Sequence, residues 1–270
     1  MTGAAGMLGR EVVRAAADHE VVGLTRGDLD ITDREAVERT IADARPDVVI
    51  NCAGFTDVDG AEADEGAATL LNGDAAGYLA AAAPAIVHPS TDYVFDGSKR
   101  TPYVESDPTG PRSAYGRSKL AGELGVAAAN ERHFIVRTSW LFGAGGRNFV
   151  DTMLGLAGER DELKVVDDQV GCPTFAGHLA GALVKLAEGD AYGIHHVAGA
   201  GECSWFDFAT EIFRRAEVDV RLVPCTTEEF PRPARRPAYS VHGSERADAP
   251  RLPSWRDGLA AYHAERAPAR

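Results

Sequence analysis

The 270-residue sequence predicts an α/β fold: a doubly wound parallel sheet with a smaller C-terminal lobe. Three observations predict it. Glycines at Gly3, Gly6 and Gly9 have the spacing of a phosphate loop. As far as Trp140, short apolar runs alternate with helical patterns, the pattern of parallel strands joined by helical crossovers. Beyond Trp140 proline and glycine interrupt the chain and the elements shorten.

The elements follow in order. Met7 to Asp18 reads as a helix whose N-terminus faces phosphates, the Rossmann-type arrangement. The first glycine would permit the turn, the second admit a pyrophosphate and the third let the helix pack closely; a glycine-rich coil is the alternative. VVGL (Val21 to Leu24) reads as a short buried strand and Arg34 to Arg45 as a helix capped by Thr32 or Asp33. DVVINCAG (Asp47 to Gly54) reads as a buried strand running into a loop, and Asn72 to Ala83 as a helix. A strand starts at Ala85, a helix spans Ala114 to Ala129, and HFIVRTSW (His133 to Trp140) is a further strand. The second half is expected to add two more strands to the sheet, with Phe149 to Gly158, Leu163 to Val166, Phe175 to Glu188, GIHHVAG and Trp205 to Arg215 as its elements. PRPARRPAYS should be irregular.

One feature conflicts with the loop. A buried strand should precede Gly3, yet only Met1 and Thr2 stand there. The sequence therefore predicts that the natural chain begins upstream, with Met1 in the place of an internal valine.

Composition narrows the function. Apolar residues are 44% and charged residues 26%, ordinary for a globular enzyme. A net charge of −13 argues against nucleic acid. No apolar run is long enough to span a membrane. Cys52, Cys172, Cys203 and Cys225 lack metal spacing and read as reduced thiols, so a cytoplasmic location is expected.

Two short patterns carry chemistry. SAYGRSKLAGE places Tyr115 and Lys119 four apart, on one helix face. Reducing a ketone requires a proton donor for the alkoxide. A free phenol titrates near about 10, and a neighbouring ammonium favours its ionised form. Taken alone, the pair also reads as a surface tyrosine beside a solvated lysine, and the context upstream argues against that. Upstream, PSTDYVFDG lies at the carboxyl end of a predicted strand, where such sheets bind ligands. Thr91 there can hydrogen-bond a substrate carbonyl beside Tyr115; turn chemistry before Gly97 is the alternative. After VVGL, Arg26 suits a 2′-phosphate and hence NADPH, with NADH still open; a solvated loop residue is the alternative.

In this order the glycine loop, STDYVF and YxxxK resemble the extended short-chain dehydrogenase/reductases. NCAGFTDVDGAE, PSTDYVFDG, YGRSKLAGE, RTSWLFG, NFV, DDQVGCPT and ARRPAYS narrow the resemblance to the dTDP-4-dehydrorhamnose reductase family, from about Thr2 to about Tyr262. The resemblance implies reduction of the C4 ketone of a dTDP-linked sugar. It implies Thr91, Tyr115 and Lys119 as the catalytic set. Gly3, Gly6, Met7 and Leu8 would line the pyrophosphate, Asp30 and Ile31 the adenine, and Ala53, Gly54 and Phe55 the cofactor ribose and phosphate. Asp92, Trp140 and Asn148 match positions facing the sugar or nucleotide, and Arg235 and Arg236 suit its diphosphate. Residues 1–142 with about 174–200 would hold the cofactor, and about 143–173 with 201–270 the substrate. The family also raises a homodimer and magnesium at its contact, although no carboxylate cluster assigns that metal a place. Gly60 stands where relatives often carry lysine. Two other functions remain to be weighed: reduction of another nucleotide-linked 4-ketosugar, and a non-catalytic NADP-binding subunit of the kind attached to methionine adenosyltransferase. The intact Thr91, Tyr115 and Lys119 argue against the second.

Overall fold

Alternation within the strands decides how the sheet is covered. In the computed structural model, which describes residues 1–266, successive residues Val49 and Ile50, Ile86 and Val87, and Phe134 and Ile135 divide between two separate apolar clusters. Strand side chains alternate between faces, so both faces of this sheet are buried.

The elements run in chain order: α1 (Met7–Ala15), α2 (Arg34–Ala44), β1 (Val49–Ile50), α3 (Gly60–Ala63), α4 (Glu65–Thr69), α5 (Ala75–Ala82), β2 (Ile86–Thr91), α6 (Ala114–Ala129), β3 (His133–Thr138), β4 (Leu141–Phe142), α7 (Phe149–Ala157), β5 (Glu162–Val166), β6 (Val170–Gly171), β7 (Thr174–Phe175), α8 (Ala176–Ala187), β8 (Gly193–His196), β9 (Cys203–Ser204), α9 (Trp205–Ala216), β10 (Arg221–Cys225) and α10 (Trp255–Arg266). The main sheet is parallel, in the order β1-β2-β3-β8. Leu8 and Val12 of α1 and Leu179 and Leu183 of α8 cover one face. Val37 and Ile41 of α2, Ala76 and Leu79 of α5 and Val126 of α6 cover the other.

Asp33 caps α2 through Ala36 N, and Ser113 caps α6 through Gly116 N, as their side-chain chemistry directs. A single π-helical turn, Leu70–Asp74, joins α4 to α5, so the helix expected from Asn72 begins in altered register.

Three expectations need correction. VVGL is not a strand: Leu24 makes one isolated bridge to Thr2, and Val22 is 48% exposed. Only Met1 and Thr2 run between Leu24 and Asn51, so the ladder on that side is one bridge long. Those bonds are nonetheless made: Thr2 N donates to Ile50 O, Cys52 N to Thr2 O, and Leu24 N to Met1 O. The run Asp47 to Gly54 is regular only over Val49–Ile50. The second half adds one strand to the main sheet among the described residues, β8; β5 and β10 pair in a separate parallel sheet. That pair packs with α7, α9 and α10 around Phe142, Phe208, Trp255 and Tyr262. Residues 231–240 carry no regular element, as the prolines dictate.

Candidate active site

A cavity of about 570 Å³ opens at the carboxyl ends of β1, β2 and β3. Its floor is backbone. Gly3 sits at φ +69°, and a Cβ there would lie 2.5 Å from Ala53 N. A Cβ on Gly9 would lie 2.1 Å from Gly3 O. No other residue allows the loop and α1 to approach so closely. No side chain caps α1 at Gly6, so its first N–H groups are free to receive an anion. Gly6, Met7 and Leu8 line the cavity, with Ala53, Gly54 and Phe55 opposite.

Asn72, on the π-helical turn, holds that second loop. Its Oδ1 accepts from Phe55 N at 2.8 Å, and its Nδ2 donates to Phe55 O at 3.0 Å and Ser118 Oγ at 2.9 Å. The amide thus replaces a missing backbone partner and ties the loop to α6. Sequence reading passed over Asn72; a lone buried amide in an Ala-rich helix was the available signal.

Thr91, at the end of β2, and Tyr115 and Lys119, on α6, all line the cavity. Lys119 is buried and donates to Pro89 O at 2.7 Å, leaving two N–H donors for other partners. Burial pulls its ammonium down to about 8, against the opposing pull of Glu123. Burial pushes the Tyr115 phenol up to about 12, with the Thr91 hydroxyl as a smaller opposing influence. The sequence suggested that the lysine would favour phenolate; desolvation prevails instead, and the phenol keeps its proton. Tyr93 packs edge-on against Tyr115, with ring centroids 5.5 Å apart.

Asp92 also borders the cavity, but its carboxylate is directed into protein. It is 1% exposed, accepting from Thr91 Oγ1 at 3.1 Å and from Ser240 Oγ at 2.6 Å. Trp140 forms a wall. It holds φ +48°, rare for a large side chain, and stacks face to face on Trp205 with centroids 3.5 Å apart. Trp205 lines the cavity too and was not foreseen.

Six expected positions, Arg26, Asp30, Ile31, Asn148, Arg235 and Arg236, lie off the cavity. Asn148 caps α7 through Asp151 N, and its amide donates to Gly143 O and Asp151 Oδ2. Arg236 grips Asp59 through both carboxylate oxygens, at 3.0 and 3.1 Å. Asp59 also takes Arg232 at 3.0 Å and Ala234 N at 3.2 Å. Ile31 is buried in the core beside Leu29 and Val37. Asp30 is exposed and accepts from Thr32 N and Oγ1, with exposed Arg26 close enough to lower its carboxyl further. Arg235 is exposed as well. Gly60 has a packing reason: Asp57 folds over it, and a Cβ would lie 2.5 Å from Asp57 Oδ2.

Among the described residues no three His, Cys, Asp or Glu side chains gather as a metal site, and no helix is long and apolar enough to cross a membrane.

Comparison with known proteins gives a consistent picture. Residues 1–267 match the family model described as the RmlD substrate binding domain. A probable dTDP-4,6-dihydroxy-2-methyloxan-3-one 4-ketoreductase of Streptomyces antibioticus is 47% identical, over 91% of this chain and 86% of that protein. A dTDP-4-dehydrorhamnose reductase structure from Clostridium acetobutylicum superposes with a TM-score of 0.95 at 45% identity, covering 98% of this chain and 97% of that one. A Bacillus anthracis dTDP-4-dehydrorhamnose reductase in complex with NADP gives 0.94 at 39% identity, covering 98% and 97%.

Proposed function

The chain belongs to the RmlD family of dTDP-4-dehydrorhamnose reductases, an NADP-dependent oxidoreductase family, and from that premise we propose how its residues divide the reduction of dTDP-4-dehydro-L-rhamnose to dTDP-L-rhamnose. The observation that carries the reading is convergence. Thr91, Tyr115 and Lys119 meet at one cavity with the uncapped end of α1.

The backbone cradle at Gly3, Gly6 and Gly9 fits a dinucleotide pyrophosphate, and the Asn72-held loop fits the sugar beside it. Bound NADPH supplies the hydride for the C4 carbon of the sugar. Tyr115 gives its proton to the oxygen left with the electron pair, and solvent reprotonates the phenolate. Lys119, fixed to Pro89 O, directs its remaining donors at the cofactor ribose and keeps positive charge near the phenolate as it forms. Arg26, Asp30 and Ile31 are the residues assigned to the adenosine end of the cofactor. Trp140 and Trp205 form an apolar wall for the sugar nucleotide. Arg236 serves the diphosphate from its place on Asp59, and α7, α9, β5 and β10 form the substrate lobe. Four unpaired cysteines suit a reducing compartment, the cytoplasm.

The experiment is NADPH oxidation with dTDP-4-dehydro-L-rhamnose, with Tyr115→Phe as control. Turnover should fall by roughly 10² to 10⁴ in the variant while NADPH binding persists. Substantial residual turnover would remove Tyr115 from its role. The Streptomyces relative supports a second reading, a different dTDP-linked 4-ketosugar. Ranking kcat/KM between the two sugars separates them.

A further inference from the structure

The run DDQVG, Asp167 to Gly171, lies off the cavity, yet its side chains converge on one wall of it. Asp167 Oδ1 accepts from Ser204 Oγ at 2.6 Å and so fixes the residue before Trp205. Gln169 Oε1 accepts from the Trp205 indole N–H at 3.2 Å. Gly171 leaves room for the other indole, since a Cβ there would lie 2.6 Å from Trp140 Cε2. Asp168 acts at one remove. It accepts from Thr227 Oγ1 at 2.6 Å and from Thr227 N at 2.9 Å. Thr227 Oγ1 in turn accepts from Gln169 Nε2 at 2.9 Å. These bonds leave the Gln169 amide one orientation. A carboxylate only accepts, so the Thr227 hydroxyl gives its proton to Asp168 and turns a lone pair to Gln169. That requires the NH2 side of the amide. An indole N–H only donates, so Trp205 requires the amide oxygen. Gln169 is 5% exposed, so little water competes for either bond.

We propose that Gln169 is a positioning residue for the sugar nucleotide: held by the Asp168–Thr227 pair, it fixes the Trp205 indole and, through the stack, Trp140, as one apolar face of the cavity. Asp168, Gln169 and Thr227 do not line the cavity, so they act only through Trp205. The one polar hydrogen of the Trp205 ring is engaged by Gln169, and ring surface is what it offers a substrate. Such a face suits the carbon-bound side of a sugar or a pyrimidine ring and gives no hydrogen bond to a hydroxyl.

Trp140 depends on the same relay. Its φ of +48° is costly for a large side chain, and the stack on Trp205, with centroids 3.5 Å apart, offsets that cost. The other parts of the site are held by other means. The glycine loop is backbone packed on backbone, and Tyr115 and Lys119 stand on α6. Loosening the wall therefore weakens binding of the dTDP-sugar and leaves cofactor affinity and the chemical step little changed.

This inference rests on the reductase reading, and the test separates the two. Gln169→Leu, Thr227→Val and Thr227→Ser are made in the full-length protein. Melting curves and NADPH titrations establish that each is folded and binds cofactor. KM for dTDP-4-dehydro-L-rhamnose should rise roughly 3- to 10-fold in Gln169→Leu and Thr227→Val, the worth of about one hydrogen bond, with kcat and NADPH affinity little changed. Thr227→Ser keeps the hydroxyl and should restore the wild-type KM. A second readout needs no turnover. The three tryptophans give three indole N–H resonances in ¹⁵N-labelled protein. That of Trp205, identified by its loss in Trp205→Phe, should move and exchange faster with water in Thr227→Val and return in Thr227→Ser. A merely structural relay would lower the melting temperature and leave KM where it was. An unchanged KM in the folded Gln169→Leu or Thr227→Val protein overturns the proposal, as does a Trp205 resonance indifferent to Thr227→Val. If Gln169→Leu does not fold, Thr227→Val alone decides. A wild type that oxidises no NADPH with this sugar overturns the reductase reading, and the Trp205 resonance then still decides the relay.

Discussion

The two sides of the cavity are built from different materials. On the side of the glycine loop and Ala53 to Phe55, main chain meets main chain, and close approach is the design. On the side of Thr91, Asp92 and Trp140, side chains from distant segments hold one another. The first side is rigid because nothing larger fits. The second is fixed only while each hydrogen bond or stack is kept. The comparison teaches where a substitution should act: in the first it breaks the site outright, in the second it changes how the site works.

The largest expected effect is Gly9→Ala. A methyl 2.1 Å from Gly3 O forces the loop and α1 apart. We expect a loss of about 3 kcal/mol and at least tenfold weaker NADPH binding, read from melting and from cofactor fluorescence titration. A near-native variant would show the backbone side to be as adaptable as the other.

Lys119→Met should stabilise the cofactor-free protein while abolishing turnover. Its folded value of about 8 lies below the unfolded value of 10.5, so the unfolded chain binds more protons between them. The buried charge is a full penalty below about pH 8 and is relieved as pH rises towards 10.5. At pH 7 the gain is on the order of 3 kcal/mol at most, and it vanishes above pH 11 or so. Denaturant melts of wild type and variant at both pH values measure it.

Asn72→Ala removes three hydrogen bonds and leaves Phe55 N and O without their partner. A stability loss of about 1–3 kcal/mol and a raised KM for NADPH are expected, with kcat little altered. If kcat alone falls, the loop orders the chemistry and not the cofactor.

The smallest effect belongs to Asp59→Asn. Burial alone would raise this carboxyl, but the Arg236 hydrogen bonds prevail and hold it low. The ion pairs are partly exposed, so stability should change by under about 1 kcal/mol. Released Arg236 should show itself in the KM of the dTDP-sugar, about threefold raised, with NADPH binding unchanged. An unaltered KM would separate Arg236 from the diphosphate.

What sequence could reveal follows the same division. Helix α6 was legible to the residue, Ala114–Ala129, because Ser113 is a local capping signal and Asn130 ends an Ala-rich run. The loop glycines were legible because a missing side chain is itself the signal. VVGL was misread because a strand is made by its neighbour, and here the neighbour is two residues long. Asn148 was placed by a motif whose local chemistry, helix capping, claims the side chain first. The bond from Asp92 to Ser240 spans 148 positions, and that from Asp59 to Arg236 spans 177. Neither pairing leaves any trace in local pattern, so Ser240 and Asp59 escaped notice, and the Trp140–Trp205 stack, 65 positions apart, hid Trp205 in the same way.

The Trp140–Trp205 stack has an optical consequence. The protein has three tryptophans, and two lie ring on ring, 4° from parallel, at the cavity wall. They form a contact pair, and Trp255 sits 1% exposed in the apolar core against which that pair packs. With Trp255 replaced by phenylalanine, the protein would carry its own fluorophore at the cavity wall, and any molecule that parts the two indoles would announce itself in colour and intensity without a label.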